Sequence, residues 1–158
     1  MAATIIDNAS AGFSVVGTWG TYSLSGSNQY GSNYRFSASG SGADVATWSF
    51  TGLTAGSYQV SLCWASNSSH AQTAPYKIYV NSTLITTATV DQRFDPAADV
   101  VHSGSNFQHA NSTPITIQTG DTLEVTVDDS STGTVIADAV AVDTTTPTPS
   151  GNVIVIED

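Results

Sequence analysis

Apolar and polar residues alternate with a period of two through most of this chain, and this pattern restricts the fold more than any other feature of the sequence. Ala46, Trp48 and Phe50 fall on one face of the segment 44–50, and the segment 123–127 alternates in the same way. Successive side chains of a β-strand point to opposite faces, so each segment is predicted to be a half-buried strand. Helical periodicity is almost absent, and the chain is therefore predicted to be all-β.

Turn-forming residues separate the alternating segments from one another. Clusters rich in Gly, Asn, Asp and Ser follow most of them, and these are the residues that tight turns favour. Many short strands at this spacing are typical of an antiparallel β-sandwich, here one of jelly-roll type. The segments 67–74 and 91–110 are predicted to be long loops, which often carry function in compact domains. The predicted strands are 44–50, 57–65, 76–80, 84–90, 115–118, 123–127 and 135–143.

The charge of the chain excludes several classes of function. It contains 13 acidic and only 3 basic residues, and the formal net charge is −10. Nucleic-acid binding is not expected, because no basic surface is available to neutralise phosphates. No apolar run reaches the roughly 18 residues that span a bilayer. The 22 Ser and 22 Thr residues provide the polar surface that charges provide in most cytosolic proteins, which favours an extracellular or cell-surface location.

The C-terminal end of the chain differs in composition from the rest. Residues 1–143 are predicted to form the sandwich domain, 144–151 a Thr/Pro-rich linker, and 152–158 a further strand. A strand that is apolar on both faces is not stable alone, so it must pair with its own domain, a following domain or another copy. The last four residues resemble residues 5–8, which indicates either a tandem repeat or a chance match. The predicted assembly residues are Val153, Ile154, Val155 and Ile156.

Five segments, in order along the chain, resemble the golvesin C-terminal-like domain, which is also found at the C-terminus of xanthan lyases. The most specific are ATWSF at 46–50, GLTAGSYQV at 52–60, APY at 74–76 and VIADAV at 135–140. The resemblance implies a galactose-binding-like β-sandwich, similar to carbohydrate-binding modules. It also implies an extracellular protein, because domains of this family are appended to enzymes or repeated along surface proteins.

Aromatic residues in the N-terminal part of the chain are candidates for binding a sugar. A sugar ring presents an apolar C–H face that an aromatic ring can cover, while nearby polar groups bind its hydroxyls. Three tyrosines lie in a Gly-, Ser- and Asn-rich segment, where exposure is expected. The alternative is core packing, which is predicted for Trp48 and Trp64 because they alternate with core positions. The candidate platform is Trp19, Tyr22, Tyr30 and Tyr34.

Asp138 shares a strand face with apolar residues in the segment 135–143. A carboxylate buried there needs strong partners, because burial of an unpaired charge is very costly. Calcium is one solution. In related calcium-containing carbohydrate-binding sandwiches an acid from the first strand and one from the last share a structural Ca²⁺, and the resemblance implies Asp7 and Asp138 for these positions. The alternative is that Asp138 accepts hydrogen bonds from backbone N–H groups or from Arg35, with no metal.

The remaining chemistry-bearing residues form no catalytic pattern. Three acids lie four residues apart in the segment 91–99, but Pro96 disfavours a regular helix there. A solvated acidic loop with Arg93 as the local counterion is expected. Cys63 lacks a partner cysteine and is predicted to be a buried, inert thiol. No nucleophile or phosphate-loop motif is present, and the chain is predicted not to be an enzyme.

Three functions fit these features. The first is a non-catalytic extracellular module, carbohydrate-binding-like or adhesive, within a larger or tandem protein. The second is a structural subunit of an extracellular filament, assembled when the C-terminal strand of one copy adds to the sheet of the next. The third is an accessory domain of a polysaccharide lyase or protease that has no ligand of its own. The first is predicted, with the second as the main alternative, so the expected partners are a glycan and copies of the chain itself.

Overall fold

Fourteen strands and no helix make up residues 3–145, the part of the chain that the computed structural model describes. No helix there is long and apolar enough to cross a membrane. The predicted linker beyond residue 145 and the predicted strand Val153–Ile156 lie outside the described residues. In chain order the strands are β1 (Thr4–Asp7), β2 (Phe13–Val16), β3 (Gly20–Tyr22), β4 (Tyr34–Ser37), β5 (Val45–Phe50), β6 (Gly56–Cys63), β7 (Ala74–Val80), β8 (Thr83–Val90), β9 (Val100–His102), β10 (Ser105–His109), β11 (Ile115–Ile117), β12 (Leu123–Asp128), β13 (Val135–Ala137) and β14 (Ala139–Thr144).

The strands form two large sheets and one small sheet, and their pairings are antiparallel. The first large sheet has the order β1-β14-β6-β10-β9, with β11 also paired to β6, and the second has the order β2-β5-β12-β7-β8. The small sheet has the order β13-β4-β3. Side chains from both large sheets share one apolar core, as in a sandwich. The predicted antiparallel β-sandwich is therefore confirmed.

The core contains the residues that the alternating pattern places inside. Trp48 on β5 is opposite Val125 on β12, and both are completely buried. The Trp48 ring stacks on Tyr76 of β7 at a centroid distance of 6.1 Å. Trp64 is also buried, so core packing is confirmed for both tryptophans that alternate with core positions. Large aromatic groups bury the most apolar surface and stabilise the contact between the sheets.

The chain changes sheet at Asp138, where one long strand was predicted. β13 ends at Ala137 and pairs with β4, whereas β14 begins at Ala139 and lies between β1 and β6. The carbonyl oxygen of Asp138 accepts a hydrogen bond from the indole N–H of Trp48 (3.3 Å). The prediction of a single strand over 135–143 is wrong because the chain moves from the small sheet to the large one at this residue.

The segment 91–110 contains a hairpin that the sequence analysis missed. β9 and β10 pair across a two-residue turn, in which Ser103 and Gly104 have φ values of 50° and 82°. Two successive positive φ values match the twist of an antiparallel hairpin, but a serine rarely adopts the first of them. The Ser-Gly pair was therefore a weak signal, and the prediction of a continuous loop is wrong for 100–109.

Candidate ligand-binding cleft and cation centre

One cleft lies against the small sheet, where the loop 67–70 packs beside it. Its volume is about 300 Å³. Tyr22 of β3 pairs with Tyr34 of β4, and Phe36 of β4 pairs with Ile136 of β13. Cross-strand partners lie on the same face of a sheet, so these four side chains form one apolar wall.

Phe36 is the most exposed ring of this wall, with 36% of its surface accessible. Its ring lies directly over Gly20 on the neighbouring strand. A Cβ atom at Gly20 would be only 2.4 Å from Cζ of Phe36, so the ring occupies the space of the missing side chain. Gly20 therefore fixes the height at which the Phe36 ring lies above the sheet. The result is an aromatic face that is held in place and open to solvent.

Tyr22 and Tyr34 form the other part of the wall. Their rings stack with centroids 5.0 Å apart and an interplanar angle of 28°. Tyr34 is buried, whereas Tyr22 is partly exposed. Burial is the main cause that raises the pKa of Tyr34, followed by Tyr22 and Asp138. The Tyr34 hydroxyl is consequently neutral near pH 7 and acts as a hydrogen-bonding group.

Polar groups on the loop 67–70 line the opposite side of the cleft. The side-chain oxygen of Asn67 accepts hydrogen bonds from the backbone N–H (3.0 Å) and the hydroxyl (2.9 Å) of Ser69. The backbone of Thr134, which also lines the cleft, donates to the Ser69 carbonyl (3.2 Å). Gly133 permits this contact, because a Cβ atom there would be 2.6 Å from the His70 carbonyl oxygen. The loop is thus attached to the small sheet and held in one arrangement.

His70 supplies a ring nitrogen whose protonation the structure determines. Its Nδ1 lies 2.8 Å from the carbonyl oxygen of Ala65. Because a carbonyl oxygen only accepts, Nδ1 carries the proton, and Nε2 of the neutral ring is an acceptor. Burial lowers the pKa of His70, and the bond to Ala65 opposes this effect only in part. The ring is therefore neutral at pH 7, and its edge packs against Tyr34.

A second notable group consists of two carboxyls beside the small sheet. Asp7 ends β1 and pairs with Ala139, which brings its carboxyl group next to that of Asp138. Each carboxyl group affects the pKa of the other, so the two lie close together. Burial is the main cause that raises the pKa of Asp138 to about 8, and the neighbouring Asp7 adds to the rise. Burial also raises the pKa of Asp7.

Asp138 is completely buried, and its two oxygens have different surroundings. Oδ2 accepts a hydrogen bond from the backbone N–H of Tyr30 (3.0 Å). Oδ1 has no hydrogen-bond partner within residues 3–145. Arg35, one of the partners considered from the sequence, instead donates to the carbonyl oxygens of Gly20 (3.2 Å) and Trp19 (3.4 Å). A buried acceptor without a partner requires an explanation, and a bound water or ion is one.

The two carboxyl groups of Asp7 and Asp138 suit a hard divalent cation by their chemistry. Both carboxyls present oxygen, the ligand atom that Ca²⁺ prefers. Residues 3–145 contain no group of three His, Cys, Asp or Glu side chains that could hold a metal. Calcium takes about six to eight oxygens, so carbonyl groups, amide oxygens or water would have to complete its shell. Asp7 and Asp138 would hold such an ion, and its binding would displace the proton that Asp138 carries at pH 7. The ion would connect β1 to the start of β14.

The four aromatic residues of the predicted platform do not lie together. Tyr22 and Tyr34 line the cleft. Trp19 packs against the core, and its indole N–H donates to the Val16 carbonyl (3.1 Å). Tyr30 packs edge-on against Phe107 at a centroid distance of 5.7 Å and belongs to a separate apolar cluster. The structure thus brings two of the four into one site.

Residues 91–95 form an acidic loop in which both carboxylates are hydrogen-bonded. Arg93 makes a two-pronged contact with Asp91, with N–O distances of 2.6 and 2.8 Å, and is its counterion as predicted. The Asp95 carboxylate accepts hydrogen bonds from the hydroxyls of Ser27 and Ser66. These acids are occupied by hydrogen bonds and form no metal-binding group within the described part of the chain.

The sequence profile of the golvesin C-terminal domain matches residues 4–144 of the chain. This chain belongs to that family. The match covers nearly all of the described strands, from β1 to β14. A search of curated proteins finds no match to this golvesin C-terminal domain.

Solved structures share its fold. A xanthan lyase from Paenibacillus is similar with a TM-score of 0.72 and 24% identity, over 91% of this chain and 13% of the lyase. A family 35 carbohydrate-binding module from Clostridium thermocellum is similar with a TM-score of 0.60 and 14% identity, over 90% of this chain and 100% of that module. A module of the same family from Cellvibrio japonicus has a TM-score of 0.59 and 14% identity, over 92% of this chain and 95% of its own. This golvesin C-terminal domain therefore has the size and fold of a whole carbohydrate-binding module, and it spans only a small part of the lyase.

Several cleft residues of this golvesin C-terminal domain were not predicted as site residues. Phe36 sits in the same Ser-rich segment as Tyr34 and at strand spacing from it, so the alternation over 34–36 was an available signal. His70 lies in a predicted loop, and no sequence motif marks it. The contribution of the loop 67–70 depends on its contact with Gly133 and Thr134, which are distant in sequence. No local pattern indicates that contact.

Proposed function

We propose that this chain is a non-catalytic carbohydrate-binding module that acts outside the cell as part of a larger protein. The observation that carries the proposal is the cleft over the small sheet, in which the open Phe36 ring faces a rim of fixed polar groups. The family membership and the likeness to whole carbohydrate-binding modules support the same function. The hydroxyl-rich composition, with few basic residues, supports the location.

The cleft matches what a sugar offers chemically. The exposed face of Phe36 covers the apolar C–H face of a sugar ring, and aromatic groups favour such contacts. Asn67, Ser69 and Thr134 present groups that donate to and accept from hydroxyls. Ligand sites range from about 300 to 1,000 Å³, and this cleft lies at the lower end, so we expect one or two sugar units to be bound.

Binding to immobilised polysaccharides tests this function. A panel of mannan, galactan, glucan and xylan is incubated with the wild-type chain, with Phe36→Ala and with Phe94→Ala. Phe94 is the matched control, because it is an exposed phenylalanine (65%) that does not line the cleft. Loss of the Phe36 ring removes contact worth about 1.5–3 kcal/mol, so the affinity for the bound polysaccharide should fall at least about tenfold. Phe94→Ala should bind as the wild type does.

Two results would count against the proposal. Unchanged affinity in Phe36→Ala would mean that the ligand binds elsewhere. Failure of the wild type to bind any polysaccharide of the panel would contradict carbohydrate binding itself. The folded state of each variant is checked by its circular dichroism spectrum, which should match that of the wild type because neither ring belongs to the buried core.

A structural calcium ion held by Asp7 and Asp138 is part of the proposed function. The support is the buried Oδ1 of Asp138 without a partner and the adjacent carboxyl of Asp7. The ion would not contact the glycan. It would hold the small sheet, and therefore the wall of the cleft, against the first large sheet.

Filament assembly is a second candidate, and the edge strand β8 favours it. β8 is at the edge of its sheet and carries no charged residue, and Leu84 (51%) and Ile85 (48%) are exposed on it. A long, uncharged, apolar edge is a site for strand addition. In this account, the segment 152–158 of one copy adds to β8 of the next. Removal of residues 146–158 and Leu84→Lys should each leave monomers in light scattering, and assembly unchanged by both would refute it.

A further inference from the structure

The charge of the ligand can be inferred from how the three basic residues of the chain are used. The whole sequence contains only Arg35, Lys77 and Arg93. Arg35 donates to two backbone carbonyl groups, of Trp19 and Gly20. Arg93 is paired with Asp91, and the Lys77 amino group lies 3.5 Å from the Asp128 carboxylate. None of the three lines the cleft.

His70 does not replace a missing cation in the cleft. Its Nδ1 proton is used by the Ala65 carbonyl, and burial lowers its pKa, so the ring is neutral at pH 7. The remaining nitrogen, Nε2, is an acceptor. An acceptor of this kind takes a hydrogen bond from a hydroxyl group and repels a carboxylate or sulfate oxygen.

The electrostatic surroundings of the cleft offer nothing to balance an anion. The chain has a formal net charge of −10, and no Lys or Arg side chain lines the cleft. An anionic sugar entering the cleft would lose water from its charge without gaining a cation as partner. Burial of an unpaired charge is costly, whereas a neutral hydroxyl needs only one hydrogen bond.

We infer that the cleft selects neutral glycans and excludes sugars that carry carboxylate or sulfate groups. This rests on the proposed carbohydrate-binding function and adds the class of sugar to it. A neutral hexose lays its C–H face on Phe36 and donates one hydroxyl proton to Nε2 of His70. Its other hydroxyls bond to Asn67, Ser69 and Thr134. The specificity comes from the absence of a cation among the lining residues as well as from the groups that are present.

Matched pairs of neutral and oxidised polysaccharides test this inference. Mannan, β-1,3-galactan, β-1,3-glucan and α-1,4-glucan are each compared with the form oxidised to the carboxylate at C6. The full chain is used at pH 7 and at physiological salt, first with saturating calcium and then with a chelator. We expect binding of at least one neutral polymer, and an affinity for its oxidised form that is at least tenfold lower in both conditions.

A variant that adds a cation at the rim of the cleft tests the same inference by changing the protein instead of the polysaccharide. Ser69 is exposed. Its backbone bonds to Asn67 and Thr134 remain in a variant, and only its hydroxyl bond to Asn67 is lost. Ser69→Lys should raise the affinity for the oxidised polymer at least tenfold, whereas Ser68→Lys, on an exposed neighbour that does not line the cleft, should not.

Each outcome has one meaning. Equal or tighter binding of the oxidised form by the wild type overturns the inference but leaves carbohydrate binding in place. Equal or tighter binding of the oxidised form that occurs only with calcium would mean that a calcium ion in the cleft bridges to the carboxylate. This result overturns the inference as well. Binding of neither form of any polymer contradicts the proposed function, and with it the inference. A preference of the wild type for the neutral form that disappears in Phe36→Ala supports both the carbohydrate-binding function and the inferred selectivity.

Discussion

At the scale of single residues, Gly20 determines where the ring of Phe36 lies. Gly20 is not in a left-handed conformation, so alanine fits its backbone without strain. A methyl group would however meet Phe36 at 2.4 Å and push the ring away from the sheet. We expect Gly20→Ala to weaken glycan binding about threefold to tenfold, because a misplaced ring loses contact worth about 1 kcal/mol.

Thr21→Ala is the matched control for this substitution, since Thr21 is the exposed neighbour on the same strand. Isothermal titration calorimetry with the polysaccharide that binds the wild type measures the affinity of both variants. If Gly20→Ala binds as tightly as Thr21→Ala does, the position of the Phe36 ring does not matter for binding.

His70 gives stability a pH dependence with a definite sign. Its folded pKa is lowered, mainly by burial, below the ordinary value of about 6.5. The unfolded chain therefore binds this proton more readily, so the contribution of His70 to stability is present above about pH 6.5 and is lost as the pH falls through the folded pKa. Protonation also turns Nε2 into a donor, which should weaken binding of a neutral glycan.

The comparison with His70→Gln isolates this effect from the carboxyl groups, which titrate in both proteins. Urea unfolding at pH 5 and pH 7.5 measures the free energy of unfolding. We expect the wild type to lose more of it between these two pH values than His70→Gln loses. An equal or smaller loss in the wild type would contradict a buried, neutral His70.

At the scale of elements, the contact between the loop 67–70 and residues 133–134, which precede β13, shapes the rim of the cleft. Gly133 has a φ of 87°, and a Cβ atom there would also meet the His70 carbonyl at 2.6 Å. Gly120 has a similar φ of 91° but no atom within 4 Å of a Cβ position. Alanine at either site adds backbone strain of about 1–2 kcal/mol. Only Gly133→Ala should also displace the loop.

Denaturant unfolding and glycan titration of both alanine variants separate these two effects. Gly133→Ala should be less stable than Gly120→Ala and should bind glycan more weakly, and Gly120→Ala should keep the affinity of the wild type. Equal behaviour of the two variants would show that the loop adjusts freely and does not form the rim.

The junction between β13 and β14 is where calcium should act. Calcium at a free concentration of about one hundred times its Kd raises the free energy of unfolding by about 2.7 kcal/mol. This corresponds to a rise in Tm of roughly 5–10 °C for a domain of this size. We expect this rise for the wild type between chelator and millimolar Ca²⁺. Asp138→Asn should abolish it, and Glu124→Gln on the distant β12 should retain it. No shift in the wild type would refute the calcium ion.

The strands of the two large sheets could be predicted from the sequence because their apolar residues alternate. β5 and β12 bury Ala46, Trp48, Val125 and Val127 as the pattern predicts. The break at Asp138 could not be predicted, because the segment around it is apolar on both faces and reads as continuous. The β9–β10 hairpin was missed since its turn places a serine at positive φ, where glycine or asparagine is usual.

At the scale of the whole molecule, the site depends on contacts between segments that are far apart in sequence. Tyr22 and Tyr34 were identified as candidates from local composition, and they do meet in the cleft. Trp19 and Tyr30 have the same local composition but face other neighbours, Val16 and Phe107. Only the strand order of the small sheet, β13-β4-β3, explains why Tyr22 and Tyr34 share the cleft while Trp19 and Tyr30 do not. The family resemblance rests on the ordered strand motifs, and the profile match to residues 4–144 confirms it.

The central claim is that a neutral glycan binds in the cleft over the small sheet, and NMR chemical-shift mapping tests it most directly. The ¹⁵N-labelled chain is titrated with the oligosaccharide of the best-binding polymer. We expect the shifts to concentrate at Gly20, Phe36, Asn67 and Ser69, with Leu84 on the distant edge strand unchanged. Shifts that saturate at β8 or around Tyr30, with those four amides unmoved, would contradict it.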